Sequence, residues 1–108
     1  MGTMILNVNN TPLIGAKIIG FDPERCIKNI SKALNVEVSD IIGNKRHREI
    51  VTARMIAAAT IRNDTQLTLK EIGSIFGKDH TSIIYHCKQY DALLKNKDKY
   101  FMHKLEKI

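Results

Sequence analysis

The stretch that decides the fold is residues 68–90, TLKEIGSIFGKDHTSIIYHCKQY. Its first half predicts a helix that begins after Thr68, because Thr68 and Glu71 have the spacing of a capping box. Gly77 ends that helix, since glycine adopts the left-handed conformation at little cost. Asp79 then caps a second helix. The apolar stripe of that helix is expected at Ile83, Cys87, Tyr90 and Leu94. Two helices joined by so tight a turn are the pattern of a helix-turn-helix.

The start of the second helix carries a run of polar side chains that a core does not need. They are Lys78, Asp79, His80, Thr81 and Ser82. A recognition helix presents its N-terminal residues to base edges in the major groove of DNA. Lysine, histidine, threonine and serine donate hydrogen bonds there, and aspartate accepts one from cytosine. Helix capping alone accounts for Asp79 and Ser82, but it does not explain the whole run.

The composition indicates one small basic domain. The chain has 108 residues, of which 44% are hydrophobic, with 17 Lys and Arg against 11 Asp and Glu. The resulting charge of +6 lies wholly in residues 45–108, which hold 13 basic and 7 acidic side chains, whereas residues 1–44 hold 4 of each. The excess therefore accompanies the helix-turn-helix, as expected for a phosphate-binding surface. For the C-terminal lysines, a solvated face is the simpler explanation.

The cysteines and the apolar runs further restrict the class of protein to which the chain can belong. Cys26 and Cys87 fit no metal-binding spacing and are predicted to be buried free thiols. No apolar run approaches the length of a membrane span. Residues 1–20 lack a basic segment followed by an apolar one, so they do not read as a signal peptide. The sequence thus predicts a cytoplasmic protein that uses neither a metal nor a cofactor.

Outside the helix-turn-helix, the chain predicts further helices and an irregular N-terminal arm. The arm is residues 1–20, and the helical domain is residues 21–108. The predicted segments are a helix from Pro23 to about Asn35, a short helical turn from Ser39 to Gly43 that buries Ile41 and Ile42, a long helix from Glu49 to Asn63, and a final short helix from Asp98 to Lys107. The fold class is therefore all-α.

Residues 24–94 resemble the C-terminal DNA-binding domain of the bacterial replication initiator DnaA. The resemblance is carried by Leu69-x-Glu71-Ile72-Gly73-x-x-Phe76-Gly77 and Lys78-Asp79-His80-Thr81-x-Ile83, followed by Cys87 and Lys88. The basic loop before the long helix (residues 44–48, Asn-Lys-Arg-His-Arg) is similar as well. The resemblance covers about two-thirds of the chain and implies a small helical fold of the Trp-repressor-like or DnaA C-terminal type.

The resemblance also implies binding of double-stranded DNA through two grooves. The start of the recognition helix would read the major groove, and the basic loop would send an arginine into the adjacent minor groove. Arg46 is assigned that role, with Lys45 and Arg48 as alternatives. Arg54 and Arg62 match family cations that contact DNA. The predicted phosphate contacts are Lys45, Arg48, Arg62 and Lys88.

The sequence departs from the family at the motif and in its surroundings. The family usually has Gly-Gly-Arg-Asp-His-Thr-Thr, whereas here one glycine is missing, Lys78 replaces arginine and Ser82 replaces threonine. DnaA has an ATPase module before this domain, but this sequence has no G-x-x-x-x-G-K-[ST] motif. If the chain is complete, we therefore expect a stand-alone DNA binder without ATPase activity, in replication initiation or its regulation. If it is a fragment, the remainder of the protein lies elsewhere.

Two other function classes compete with this hypothesis. An enzyme is not predicted, because the best candidate groups, His80, His86 and Cys87, fall on different helix faces. A protein-interaction or regulatory module on the same scaffold is the alternative, with the final helix as its contact surface. A protein that binds only proteins has little need of the basic loop beside Arg54. Other replication or regulatory proteins are the further partners that we expect, and the lack of a heptad seam favours a monomer.

Overall fold

A computed structural model describes residues 22–108, and within that range the chain folds into six helices without a strand. The predicted arm, residues 1–20, lies outside the described residues. The helices are α1 (Pro23–Leu34), α2 (Val38–Ile41), α3 (Arg48–Asp64), α4 (Leu69–Phe76), α5 (His80–Asn96) and α6 (Lys99–Glu106). The all-α prediction is confirmed, and the predicted helices lie within one or two residues of those observed.

Helix α3 is the centre of the domain and packs against α1, α2, α4 and α5. Its alanines at positions 53, 57 and 58 are fully buried, so the neighbouring helices can approach its backbone closely. Bulky side chains from every other helix close around it. The largest fully buried side chains of the domain include two from α3 itself, Ile56 and Ile61. Those from the other helices are Phe76, Phe101, Ile30, Ile41, Ile72 and Ile83. The core is mostly aliphatic, and burial of these side chains is the main force that holds the helices together.

The helix-turn-helix, α4 and α5, follows the local signals of its sequence. The Thr68 hydroxyl accepts from the Glu71 N–H at 3.1 Å, and the Glu71 carboxylate accepts from the Thr68 N–H at 2.8 Å, which completes the capping box. Gly77 ends α4 at φ 65°, in the left-handed region. The Asp79 carboxylate then accepts from the Ser82 N–H at 3.0 Å and caps α5.

Gly73 is required where the two helices meet. A Cβ atom at this position would lie 2.4 Å from the Lys78 carbonyl oxygen and 3.3 Å from the Asp79 carbonyl carbon. The Lys78 N–H donates to the Gly73 carbonyl at 2.8 Å, so the turn folds directly onto this glycine. The close approach fixes the direction in which α5 leaves the turn.

Helix α6 folds back onto α5 and completes the core. Asp98 caps it by accepting from the Phe101 N–H at 2.9 Å. The Phe101 ring is 1% exposed and meets the Tyr90 ring edge to face, with 5.3 Å between centroids. An edge-to-face aromatic pair of this kind contributes about 0.5–1.5 kcal/mol beyond its buried area.

Two predicted core positions are wrong. Ile42 is 38% exposed, because α2 is a single turn that aims only Ile41 at α3. Leu94 is 40% exposed, whereas the neighbouring Leu93 is half-buried and packs against the core. Both cysteines are free, as predicted, although only Cys26 is buried and Cys87 is half-buried. Burial raises the pKa of the Cys26 thiol to about 11.

Candidate nucleic-acid interface

The predicted base-reading residues stand at the turn and the first turn of α5. Asp79, His80 and Thr81 are exposed, whereas Lys78 and Ser82 are half-buried. The Asp79 pKa is lowered, chiefly by the hydrogen bond from the Ser82 backbone N–H, so this carboxylate is ionised at neutral pH. Asp79 therefore caps the helix while it remains open to solvent, and the two interpretations of its role are compatible.

The basic loop lies beside this end of α5. Residues 44–47 are irregular, and Arg48 begins α3. Lys45, Arg46 and Arg48 are exposed. The Lys45 ammonium lies 3.2 Å from the half-buried Asp40 carboxylate, a surface ion pair of the kind that contributes little to stability. The side chains are therefore presented on the surface, with the start of the loop close to α2.

An open cleft of about 770 Å³ separates the basic loop from the recognition helix. Both predicted elements contribute to its walls. The lining residues are Asn44, Arg46, Val51, Arg54, Lys78, Asp79, Thr81, Ser82, Tyr85 and His86. The tertiary structure thus brings Arg46 to the same concave surface as most of the 78–82 run, although more than thirty residues separate them in the sequence. The cations that line it are Arg46, Arg54 and Lys78.

Lys78 spans the cleft toward the basic loop. Its ammonium donates to the Gly43 carbonyl at 2.8 Å and to the Asn44 side-chain oxygen at 2.7 Å. Burial lowers the pKa of Lys78, and the neighbouring Arg54 charge lowers it further. Two of its three donors are therefore engaged within the protein.

Arg54 is buried, with only 4% of its surface exposed. Its Nε donates to the Ile41 carbonyl at 2.7 Å and its Nη2 to the Asp40 carbonyl at 2.8 Å. Burial lowers the pKa of Arg54, and the Asp40 charge opposes that shift. The guanidinium supplies donors to carbonyl oxygens at the end of α2, next to the start of the basic loop. Its contact with DNA stays a prediction.

Arg48 lies against α6 at the other end of the basic loop. Its guanidinium carbon stands 3.7 Å from the centroid of the Tyr100 ring, and the Lys104 ammonium lies 5.3 Å from that centroid. Such a cation over an aromatic face is attracted by about 0.5–1 kcal/mol at an exposed site. This pairing could not be predicted from local sequence patterns, because 52 residues separate Arg48 from Tyr100.

Tyr85 and His86 also line the cleft, although neither was predicted from the sequence to be part of the interface. They follow Ser82 by three and four residues, so one turn of helix sets them beside it. Tyr85 is 59% exposed, and its ring meets that of His86 with 5.9 Å between centroids. Burial, Arg54 and Lys78 lower the pKa of His86, so the imidazole is neutral at pH 7. The helical spacing from the 78–82 run was the available signal.

Arg62 and Lys88 lie away from the cleft lining. Both side chains are exposed. Burial raises the pKa of the Cys87 thiol, and the Arg62 charge opposes that shift, so Arg62 lies near the middle of α5. Among residues 22–108, no group of three acidic, histidine or cysteine side chains could hold a metal ion. The same part of the chain contains no helix long and apolar enough to cross a membrane.

Comparison with known proteins finds one family over the region that builds this cleft. The family described as the bacterial dnaA protein helix-turn-helix matches residues 23–89. That match includes the basic loop and most of α5, and it ends before α6. The matched segment is the DNA-binding helix-turn-helix and not a catalytic region, in agreement with the prediction that the chain is not an enzyme.

Individual relatives show the same coverage. The chain is 40% identical over 78 residues to the chromosomal replication initiator protein DnaA of a Picosynechococcus strain, covering 71% of this chain and 17% of that protein. It is 42% identical over 74 residues to DnaA of Crocosphaera subtropica, covering 68% and 16%. It is 42% identical over 72 residues to DnaA of Nostoc punctiforme, covering 66% and 16%. The chain therefore spans about a sixth of the length of these curated relatives.

Proposed function

The chain belongs to the bacterial DnaA helix-turn-helix family, and we propose that it binds double-stranded DNA sequence-specifically through two adjacent grooves. The N-terminal end of α5 would enter the major groove, and Arg46 of the basic loop would enter the neighbouring minor groove. The observation that carries this proposal is the cleft, because Arg46 and the 78–82 run line one concave surface. A phosphate backbone between two grooves is a narrow anionic ridge, which such a cationic cleft suits.

The side chains of the proposed interface have two tasks, contact with base edges and contact with phosphates. His80, Thr81 and Ser82 supply hydrogen-bonding groups for base edges, each good bidentate pair discriminating by about 1–3 kcal/mol. Asp79 supplies an acceptor as well as a helix cap. The exposed cations supply salt-dependent affinity that is independent of sequence. They are Lys45, Arg48, Arg62 and Lys88.

Arg54 and Lys78 enter the proposal differently from the exposed cations. Both line the cleft, but their donors are bonded to protein oxygens at Asp40, Ile41, Gly43 and Asn44. An added bond to DNA would have to use the donors that remain or replace an existing bond. Their positive charges still contribute to the electrostatic field of the cleft.

The biological setting follows from the relatives. They are named as chromosomal replication initiators, so we assign this chain to replication initiation or its regulation, in the cytoplasm. The matched part of the relatives does not include their ATPase region, so we propose a DNA-binding role without ATPase activity. The proposal takes the protein to bind as a monomer, with replication or regulatory proteins as further partners.

Selection from a randomised duplex library at near-physiological salt tests the proposal. Enrichment of one short motif by the wild-type protein is expected. His80→Ala and Thr81→Ala should lose discrimination at positions of that motif while they retain weak, salt-sensitive binding. Arg46→Ala should lose preference at neighbouring positions read in the minor groove. Salt-sensitive binding by the wild type without an enriched motif would contradict sequence-specific recognition and would favour the alternative, a protein-interaction module.

A further inference from the structure

Lys78 joins the two elements that line the cleft. Its ammonium donates to the Gly43 carbonyl at 2.8 Å and to the Asn44 side-chain oxygen at 2.7 Å. These contacts link residues 35 and 34 positions apart. One acceptor belongs to the residue that precedes the basic loop, and the other belongs to the first residue of the loop. The bond pair therefore connects the loop directly to the turn of the helix-turn-helix.

The backbone of Lys78, from which this connection starts, is held in place between α4 and α5. The Lys78 N–H donates to the Gly73 carbonyl at 2.8 Å. Lys78 follows Gly77, which ends α4, and precedes Asp79, which caps α5. Because its backbone belongs to neither helix but is pinned between both, the direction of its side chain is set by the turn. The Lys78 side chain thus connects the turn before the recognition helix to the basic loop from a fixed position.

The same geometry argues against Lys78 as a phosphate contact. To bind DNA with the donors that it now uses, the ammonium would have to release two hydrogen bonds of 2.8 and 2.7 Å. A hydrogen bond from a charged donor contributes more than one between neutral groups. Lys88, by contrast, is exposed on α5 and is free to follow a phosphate.

We propose that Lys78 is a positioning residue, which fixes the basic loop relative to the recognition helix so that both meet adjacent grooves of DNA at the correct separation. The inference rests on the two-groove function proposed above and deepens it. A loop that is ordered before binding does not have to be ordered during binding, so the bridge raises affinity without touching DNA. Asn44 is its partner in this role.

Binding to a duplex that contains the motif recovered by the library selection tests the bridge. Lys78→Met is expected to lower affinity about tenfold, since the loop must then be ordered on binding. Because the Lys78 charge acts through the field of the cleft and not through a direct phosphate contact, this variant should lower the magnitude of the slope of log K against log salt by less than Lys88→Met does. Lys88→Met is the matched control, because loss of the phosphate contact proposed for Lys88 should lower the magnitude of that slope by about 0.9. A decrease of equal size in the salt slope for Lys78→Met would overturn the proposal.

Asn44→Ala tests the other end of the bridge without any change of charge. It should lower affinity about threefold, because one acceptor, the Gly43 carbonyl, remains. In the Lys78→Met background it should have no further effect, since the two residues act through one contact. Additive losses would overturn the proposal. Lys78→Arg keeps a cation with several donors and should retain most of the affinity.

Backbone NMR order parameters of the free protein separate this proposal from the function on which it rests. Lys78→Met and Asn44→Ala should both lower the order parameters of residues 44–47 and leave those of the middle of α5 unchanged. If the wild type prefers no duplex, the two-groove function has failed, and the order parameters still decide whether the bridge orders the loop. Unchanged order parameters of the loop in both variants would overturn the bridge even if DNA binding is specific.

Discussion

The helix-turn-helix and the basic loop lie on opposite sides of one cleft, but different kinds of contact hold them. In α4 and α5, the stabilising groups are neighbours in the sequence: the capping box at Thr68, the left-handed Gly77 and the Asp79 cap all act within three residues. The basic loop has no such internal support among the hydrogen bonds of residues 44–47. It is held from outside, by contacts with residues far along the chain.

Three of these outside contacts surround the loop. Arg54 donates to the carbonyls of Asp40 and Ile41, just before it. Lys78 donates a hydrogen bond to Asn44, the first residue of the loop. The Tyr100 ring lies beneath the guanidinium of Arg48, the last residue of the loop. The contrast teaches that the recognition helix can be specified locally, whereas the loop acquires its position only when α3, α5 and α6 are packed. Substitutions should therefore affect the two regions differently.

The largest effect on stability is expected for Arg54→Met, which removes the hydrogen bonds to the carbonyl oxygens of Asp40 and Ile41, just before the basic loop. The buried Ile41 carbonyl and the partly buried Asp40 carbonyl lose a charged donor, and loss of such bonds costs about 3 kcal/mol of unfolding free energy. Urea denaturation measures the loss. Arg62→Met on the same helix is the control, because Arg62 is exposed and a surface change should stay within about 0.5 kcal/mol. Similar small losses for both arginines would contradict a structural role for Arg54.

A smaller effect is expected for Gly73→Ala in the helix-turn-helix. Its Cβ would meet the Lys78 carbonyl oxygen at 2.4 Å, so the turn must shift, at a cost of about 2 kcal/mol. Gly77→Ala is the companion variant, because a Cβ there has nothing within 4 Å and only the left-handed backbone costs energy, about 1 kcal/mol. Denaturant midpoints measure both. A larger loss of stability for Gly77→Ala than for Gly73→Ala would contradict this order. It would show that the left-handed backbone, and not the close approach at Gly73, is the stricter requirement of the turn.

The smallest effect is expected for Tyr100→Leu, which removes the ring beneath Arg48. The cation over the ring contributes about 0.5–1 kcal/mol, so DNA affinity should fall only a few fold. Tyr100→Phe retains the aromatic face and should bind as the wild type does. Fluorescence anisotropy with the selected duplex measures both. Equal losses for leucine and phenylalanine would show that the ring face does not position Arg48.

Local signals made most of the fold predictable. Asp22 followed by Pro23 fixes the start of α1, and Thr68, Gly77 and Asp79 fix the helix-turn-helix to within a residue. The errors at Ile42 and Leu94 arose where burial depends on another helix and not on periodicity. For the candidate site, the sequence predicted the basic loop and the 78–82 run, and residues of both line one cleft, but their contacts with DNA stay predictions. It missed Tyr85 and His86, which join the cleft only through the helical turn after Ser82.

The sequence by itself determined where the helices begin and end, because caps, glycines and helical periodicity act over three or four residues. It also determined which residues carry the charge and the polar run of the interface. Only the tertiary structure decided how individual cations are used. Arg54 is buried and bonded to backbone carbonyls, Lys78 is bonded to the basic loop, and Arg48 lies over Tyr100. These partners are 13 to 52 residues away along the chain, so the packing of α3, α5 and α6 must bring them together before an interior cation can be distinguished from an exposed one.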